Sequence, residues 1–320
     1  MTAKTHPGGQ GTIGAAAVAR VGYGAMQLFE AATPADAAAV LRRAVDLGVN
    51  HIDTASFYGP GEVNRRIRAA LAPHRSSYPE DLVIVSKVGA RYTGEDPIPL
   101  AAAQKPAELR AAVEDDLREL GIDCVPVVNL RRLDLGPGLQ ADGDQIVDLD
   151  DQLAEMIALR DEGKIGAIGV SAVPLEVLLR ALPAGIVCVQ NAYSLLDRAQ
   201  EKMLDLCVAE GIAWVPYFPL GSAFAGFPNV ADNPVVAEVA GEIGATGAQV
   251  GLAWLLAHAP NTLLIPGTRS IAHLEENVAT ANIALSADAL ARLDAVSAPG
   301  DSPLQPHGFE ASLESFRKAP

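Results

Sequence analysis

The chain has 320 residues, is 49% apolar but only 5% aromatic, and carries a formal charge of −15. That charge repels polyanions and excludes nucleic acid as a natural partner, while an aliphatic core of Val, Ile, Leu and Ala suits a single closed α/β domain of this length. Cys124, Cys188 and Cys207 lack CxxC spacing and sit in or beside apolar segments, so they read as buried, reduced thiols rather than a redox or metal set.

From Met1 to Thr12 the chain has Lys4 and then Gly, Pro and Gln where a signal peptide needs an apolar stretch. No apolar run approaches the roughly 18 residues of a spanning helix, which predicts a cytoplasmic protein with no membrane contact. Residues 1–17 are expected to be a flexible N-terminal segment. A first strand follows at Val18–Gly24. Thr33-Pro34 opens a helix by the cap-then-proline rule, Val40, Leu41, Ala44 and Val45 mark its inner face, and Gly48 stops it before a strand at Val49–Asp53.

A strand at 82–87 comes next, then a helix over Pro106–Leu120 with Leu109, Val113, Leu117 and Leu120 inside and Gly121 as terminator. A strand at Cys124–Leu130, a loop at Gly136–Gly143, a helix over Asp151–Glu162 and a strand at Ile165–Val170 continue the alternation. Further strands are expected near 186–190, 212–216 and 262–265, with helices near 174–182, 198–210 and 270–282. Eight such units predict a closed parallel (β/α)8 TIM barrel over residues 18–299, with 300–320 as a C-terminal tail laid across its mouth.

Two short blocks, His51-Ile-Asp-Thr-Ala-Ser-Phe-Tyr-Gly59 and Leu82-Val-Ile-Val-Ser-Lys-Val88, place Asp53, Tyr58 and Lys87 at or just beyond strand ends, where barrels of this kind gather their reacting groups. Alone, each has a plain structural use: Asp53 opens a turn, Lys87 is solvated, and Tyr58 is an amphipathic rim residue. Together they suggest a phenol made acidic by a neighbouring ammonium. A cation at about 4 Å in an effective dielectric near 20 is worth ~4 kcal/mol, an upper bound of roughly three pKa units. Asp53 would keep the amine charged and oriented.

This spacing resembles the aldo-keto reductase superfamily. The likeness continues through Ile168-Gly-Val-Ser171, Val189-Gln-Asn191, Tyr217-Phe-Pro-Leu-Gly221 and Leu264-Ile-Pro-Gly-Thr-Arg-Ser-Ile-Ala-His-Leu-Glu-Glu-Asn277, covering roughly residues 18 to 297. It implies reduction of an aldehyde or ketone by NADPH, with Tyr58 as proton donor and Asp53 and Lys87 as its support. The family usually has a histidine at the end of the fourth strand. Arg131 stands there instead, and its guanidinium would polarise the carbonyl, the alternative being a salt-bridged rim arginine with Arg132 or Asp134 sharing the local charge.

The same resemblance implies the cofactor contacts. Gly24 and Met26 would lie beside the cofactor, Ser171 and Gln190 would bind the nicotinamide carboxamide, and Tyr217 would stack on its ring; Ala172 replaces the usual asparagine. Phe218, Leu220 and Gly221 would offer backbone amides to the pyrophosphate, a Pro-Gly turn being the alternative. Gly267, Thr268, Arg269 and Ser270 would meet the 2′-phosphate of NADP at a helix start, with His273, Glu276 and Asn277 towards the adenine. No GxGxxG with an acidic ribose hook occurs, which argues against a doubly wound dinucleotide domain. No metal is implied, and the oligomeric state is open.

Within the superfamily, Arg20-Val-Gly-Tyr-Gly-Ala-Met26, Val128-Asn-Leu-Arg131 and Val187-Cys-Val-Gln-Asn191 look most like bacterial pyridoxal reductases and their relatives, which makes pyridoxal a candidate substrate. Two other readings are open: a catalytically weak NADPH-binding redox sensor or partner-docking barrel, and a lyase using Lys87 as a Schiff-base amine.

Overall fold

The computed structural model describes residues 6–72, 77–94, 99–135, 139–221 and 228–302. Its first elements form an antiparallel hairpin of β1 (Gln10–Ile13) and β2 (Ala16–Ala19). The main sheet then builds from β3 (Tyr23–Gly24), β4 (His51–Asp53), β5 (Val83–Val88), β8 (Val125–Arg131), β9 (Ile165–Ser171), β10 (Ile186–Gln190) and β11 (Ala213–Trp214). All its pairs are parallel, in the order β11-β10-β9-β8-β5-β4-β3. A second hairpin, β6 (Ala90–Tyr92) with β7 (Leu100–Ala102), extends the loop after β5.

Helices connect the strands: α1 (Pro34–Asp46), α2 (Glu62–Leu71), α3 (Pro106–Leu120), α4 (Leu149–Asp161), α5 (Leu175–Ala181), α6 (Glu201–Glu210), α7 (Pro234–Ile243), α8 (Gly247–His258), α9 (Ile271–Ala279) and α10 (Ala287–Asp294). The signals for α1 act as expected. The Thr33 hydroxyl accepts from the Asp36 amide at 3.1 Å, Pro34 occupies the first turn, and Gly48 takes the left-handed φ that ends it. Helix α3 matches its expected span and stops at Gly121, also left-handed.

The period of two along each strand divides the core. Val83 and Val85 of β5, Val127 of β8, Cys188 of β10 and Ala213 of β11 pack on the inner face with Val215 and Leu263. Ile84, Val88, Val128, Leu130, Ile168, Val170 and Val189 pack outward against the helices. Lys87 continues the Val83, Val85 series, Arg131 the Val127 series and Gln190 the Cys188 series. Strand alternation therefore turns these polar side chains inward at the carboxyl ends.

Several boundaries differ from expectation. Val18–Gly24 is not one strand: Ala16–Ala19 turns away to pair with Gln10–Ile13, and only Tyr23–Gly24 joins the sheet. Part of the segment expected to be flexible is thus ordered, because Ile13 and Val18 bury their side chains against the inner face of the sheet. The 212–216 strand shortens to Ala213–Trp214. At 262–267 there is no regular strand, but Thr262 bridges Trp214 and Leu264 and Gly267 bridge Val21 and Gly24, so this segment touches both edges of the sheet. Cys188 and Cys207 are buried, whereas Cys124 is exposed just before β8 begins. Residues 136–138 of the expected loop and 303–320 of the expected tail lie outside the described residues. No helix among the described residues is long and apolar enough to cross a membrane.

Candidate active site

Asp53 closes β4 and Lys87 lies one residue from the end of β5, on the neighbouring strand. Both are buried, with 2% and 4% of their surface exposed. The Asp53 carboxylate divides its oxygens: Oδ1 accepts from Lys87 Nζ at 2.5 Å and Oδ2 accepts from Gln190 Nε2 at 2.6 Å. Lys87 Nζ also donates to the Thr54 carbonyl at 2.9 Å and to the Tyr58 phenol oxygen at 3.0 Å. Three ammonium protons thus meet three acceptors. Burial works against the charge on Lys87, but Asp53 and then Tyr58 outweigh it and raise its pKa above the ordinary lysine value.

Tyr58 sits in the turn after β4, half-buried, with the Phe57 ring edge-on at 5.3 Å. Because its oxygen accepts from an ammonium, its own proton is free to point elsewhere. The arrangement can give that proton away and hold the resulting phenolate against a cation. It is poorly suited to imine formation, since a lysine with every proton engaged and a raised pKa presents no free amine.

Arg131 ends β8, level with Ser171 at the end of β9. The rim salt bridge expected as its alternative is not made: Asp134 pairs with Arg132 at 2.7 Å, and Arg131 has no ion pair among the described residues. Its guanidinium lies 6.0 Å over the Phe57 ring, and its buried Nε has no protein partner. Burial pushes the Tyr217 phenol up, and the charge of Arg131 partly offsets this.

Two buried polar atoms near Asp53 have no protein partner, Ser171 Oγ and Gln190 Oε1. A hydroxyl donor and an amide oxygen acceptor at neighbouring strand ends complement a primary carboxamide, which presents one acceptor and two donors. The residues present therefore fit the nicotinamide end of the implied cofactor. Ala172, after Ser171, has a left-handed φ of 53°, a conformation an asparagine tolerates better than an alanine.

The remaining implied contacts are less uniform. Tyr217 bridges Ala192, its ring edge-on to Phe218 at 5.1 Å. The Gly221 amide donates to the Phe218 carbonyl at 3.0 Å, and the Leu220 carbonyl accepts from Val230. Gly221 therefore forms the turn rather than offering its amide outward. Gly24 and Gly267 face one another across the seam; a Cβ on Gly24 would lie 2.4 Å from the Ile265 carbonyl oxygen, so close backbone approach explains this glycine without a ligand. Met26 is exposed on a short 3-10 helix, Met26–Glu30.

Thr268 is buried, its carbonyl accepting from the Tyr23 phenol at 2.6 Å, and Ser270 caps α9 through the His273 amide. Arg269 and His273 are exposed, with Arg269 paired to Glu30 at 3.1 Å. The Glu276 carboxylate is taken by Thr246 at 2.6 Å, and Asn277 is half-buried on α9. No group of three or more His, Cys, Asp or Glu among the described residues could hold a metal ion. The Thr54 carbonyl on Lys87 and the hold of Gln190 on Asp53 were not legible in the sequence, because one is a backbone atom and the other joins residues 137 positions apart.

Known proteins resemble this chain over most of its length. Pyridoxine 4-dehydrogenase of Escherichia coli (strain K12) is 46% identical over 293 residues, covering 89% of this chain and 97% of that protein. An uncharacterised oxidoreductase of Schizosaccharomyces pombe is 33% identical, covering 88% of each. An aldo-keto reductase of Klebsiella pneumoniae, solved in complex with NADPH, superposes with a TM-score of 0.71 at 29% identity, covering 90% of this chain and 93% of that one. With the aldo/keto reductase family model also matching residues 20–298, the protein belongs to the aldo/keto reductase family.

Proposed function

We propose that the protein reduces an aldehyde or ketone to the alcohol with NADPH, Tyr58 giving the proton, and that the substrate is a pyridoxal-like aromatic aldehyde. One observation carries the chemistry: Lys87 Nζ stands 3.0 Å from the Tyr58 oxygen while locked to Asp53. When bound, the reduced nicotinamide supplies the hydride. Tyr58 gives its proton to the carbonyl oxygen as that oxygen gains charge, and Lys87 stabilises the phenolate left behind. Arg131 donates to the same oxygen in place of the family's histidine. Ser171 and Gln190 hold the carboxamide, and Tyr217 flanks the ring.

Phe218, Leu220 and Gly221 shape the strand-end turn beside the cofactor more than they donate to it. Arg269 takes the 2′-phosphate, releasing Glu30; an exposed pair worth about 0–1 kcal/mol is readily exchanged for a doubly charged phosphate. The substrate reading is supported by the name of the Escherichia coli relative and by the aromatic surroundings of Tyr58. Phe57 meets Tyr58, and the exposed Phe29 meets Tyr92 edge-on at 6.0 Å.

We also read residues 18–299 as a closed (β/α)8 barrel, with 262–267 as the eighth stave between β11 and β3. The three parallel bridges to Trp214, Val21 and Gly24 support this. Three cysteines with no disulfide among the described residues suit a cytoplasmic setting. The test is loss of nicotinamide absorbance on mixing protein and NADPH with pyridoxal and a broad panel of other carbonyls. Turnover with pyridoxal among the better substrates is expected; turnover with none of them would overturn the enzyme reading.

A further inference from the structure

Behind the site, on the helix side of the sheet, lies a carboxylate that the proposed reaction does not use. Asp116 of α3 is fully buried. Its Oδ1 accepts from Asn64 Nδ2 of α2 at 2.7 Å, and its Oδ2 accepts from Ser86 Oγ of β5 at 2.6 Å. Asn64 uses its Oδ1 to accept from Thr54 Oγ1 at 2.7 Å. Asn64, Thr54 and Ser86 are all buried as well.

The two arms of this network end at one place. One runs from Asp116 through Asn64 to Thr54, whose carbonyl is an acceptor for Lys87 Nζ. The other runs from Asp116 to Ser86, which precedes Lys87 in β5 and turns its side chain to the opposite face. The strand ends are tied as well, the Thr54 amide donating to the Val85 carbonyl at 2.8 Å. We propose that Asp116 is a positioning residue for Lys87: it sets the Thr54 carbonyl and the end of β5, and its protonation state is transmitted to the ammonium. The inference rests on the reading of Lys87 as the partner of Tyr58.

The chemistry of the network makes protonation consequential. Every hydrogen bond that reaches Asp116 comes from a donor, an arrangement that suits a carboxylate. A proton makes one of the two oxygens a donor and a poorer acceptor, which weakens the bond from Ser86 or Asn64 or turns the Ser86 hydroxyl round to accept. Burial drives the Asp116 pKa upward to about 7, with the two hydrogen bonds opposing the rise and Glu119 and Asp115 of α3 adding to it. Among the described residues no cation pairs with the acid. Arg65 of α2 is engaged by Glu62 and Glu119, and Lys87 of β5 faces the other side of the sheet. On that other side His51 also interacts with Asp53 and Lys87, but burial holds it near 4, away from the range in which Asp116 changes state.

The test reads Lys87 directly and needs no turnover. In protein carrying isotope-labelled lysine side chains, the Lys87 resonance is identified by its absence from Lys87→Met. Titration from mildly acidic to mildly alkaline pH is expected to move this resonance with a midpoint near 7 in the parent protein, and to leave it still in Asp116→Asn. Ser86→Ala, which cuts a single arm and removes a donor to the carboxylate, should move the midpoint to higher pH. A Lys87 resonance that does not titrate in the parent, or that titrates alike in all three proteins, overturns the inference. Absence of carbonyl turnover alongside the expected titration would instead count against the proposed function alone.

Discussion

A lysine with three protons and three acceptors is fixed in direction as well as charge, and that is the condition of Lys87 between Asp53, Thr54 and Tyr58. On the proposed reading of Tyr58 and Lys87 as the proton-donating pair, removing either should affect chemistry more than binding. Tyr58→Phe and Lys87→Met are each expected to lower turnover about a hundredfold or more, the scale of a lost positioned proton donor or its activator, with NADPH affinity little changed. Steady-state rates with binding titrations check this, and a variant with near-normal turnover would remove its residue from the proton path.

The two arginines should fail differently. Arg131→Ala removes the proposed donor to the reacting oxygen, worth on the order of 3 kcal/mol when preorganised, and should slow single-turnover hydride transfer without weakening the cofactor. Arg269→Ala should weaken NADPH by roughly 1.5 to 3 kcal/mol and leave NADH nearly untouched. Equal losses for the two nucleotides would refute the phosphate contact. The identities at these positions were legible in the sequence because a strand end and a short spacing announce them. That Asp134 turns to Arg132 and leaves Arg131 without an ion pair among the described residues was not, since adjacent arginines at the strand end compete for the same acid.

Among the elements, those with both a start and a stop signal were placed best. Thr33-Pro34 and Gly48 bracket α1, and Pro106 and Gly121 bracket α3, because capping and left-handed φ are local properties. The first strand was misplaced because Val18 fits a strand in either of two partnerships, and tertiary burial beside Ile13 selects the hairpin. A second local signal could not show what α3 holds inside. The Asp116 carboxyl is raised from an unfolded value of about 3.9 to about 7, so the folded protein binds that proton more tightly. Its contribution to stability is complete below the unfolded value and is lost as pH rises through about 7. Asp116→Asn, which cannot ionise, should therefore lose less stability than the parent over that rise. Unfolding midpoints measured for both proteins against pH check this, and parallel curves would refute it.

For the whole molecule, the segment 262–267 is where the two edges of the main sheet meet, Thr262 bridging Trp214 and Gly267 bridging Gly24. A Cβ on Gly24 would press on the Ile265 carbonyl oxygen, which belongs to backbone and cannot swing aside. Gly24→Ala should destabilise the fold by about 1–3 kcal/mol, the usual cost of overpacking, and denaturant unfolding at fixed pH measures it. An unchanged midpoint would mean that the seam yields.

The sequence by itself determined the alternation of strands and helices, the strand-end positions of Lys87, Arg131 and Gln190, and the identity of the acid, phenol and amine, since period, capping and residue chemistry act over a few neighbours. The tertiary structure alone decided which partners those groups take. Gln190 reaches Asp53, Thr54 turns its carbonyl to Lys87, and Asp116 joins two helices to β5, because hydrogen bonds between distant segments depend on how a closely packed core orients each element.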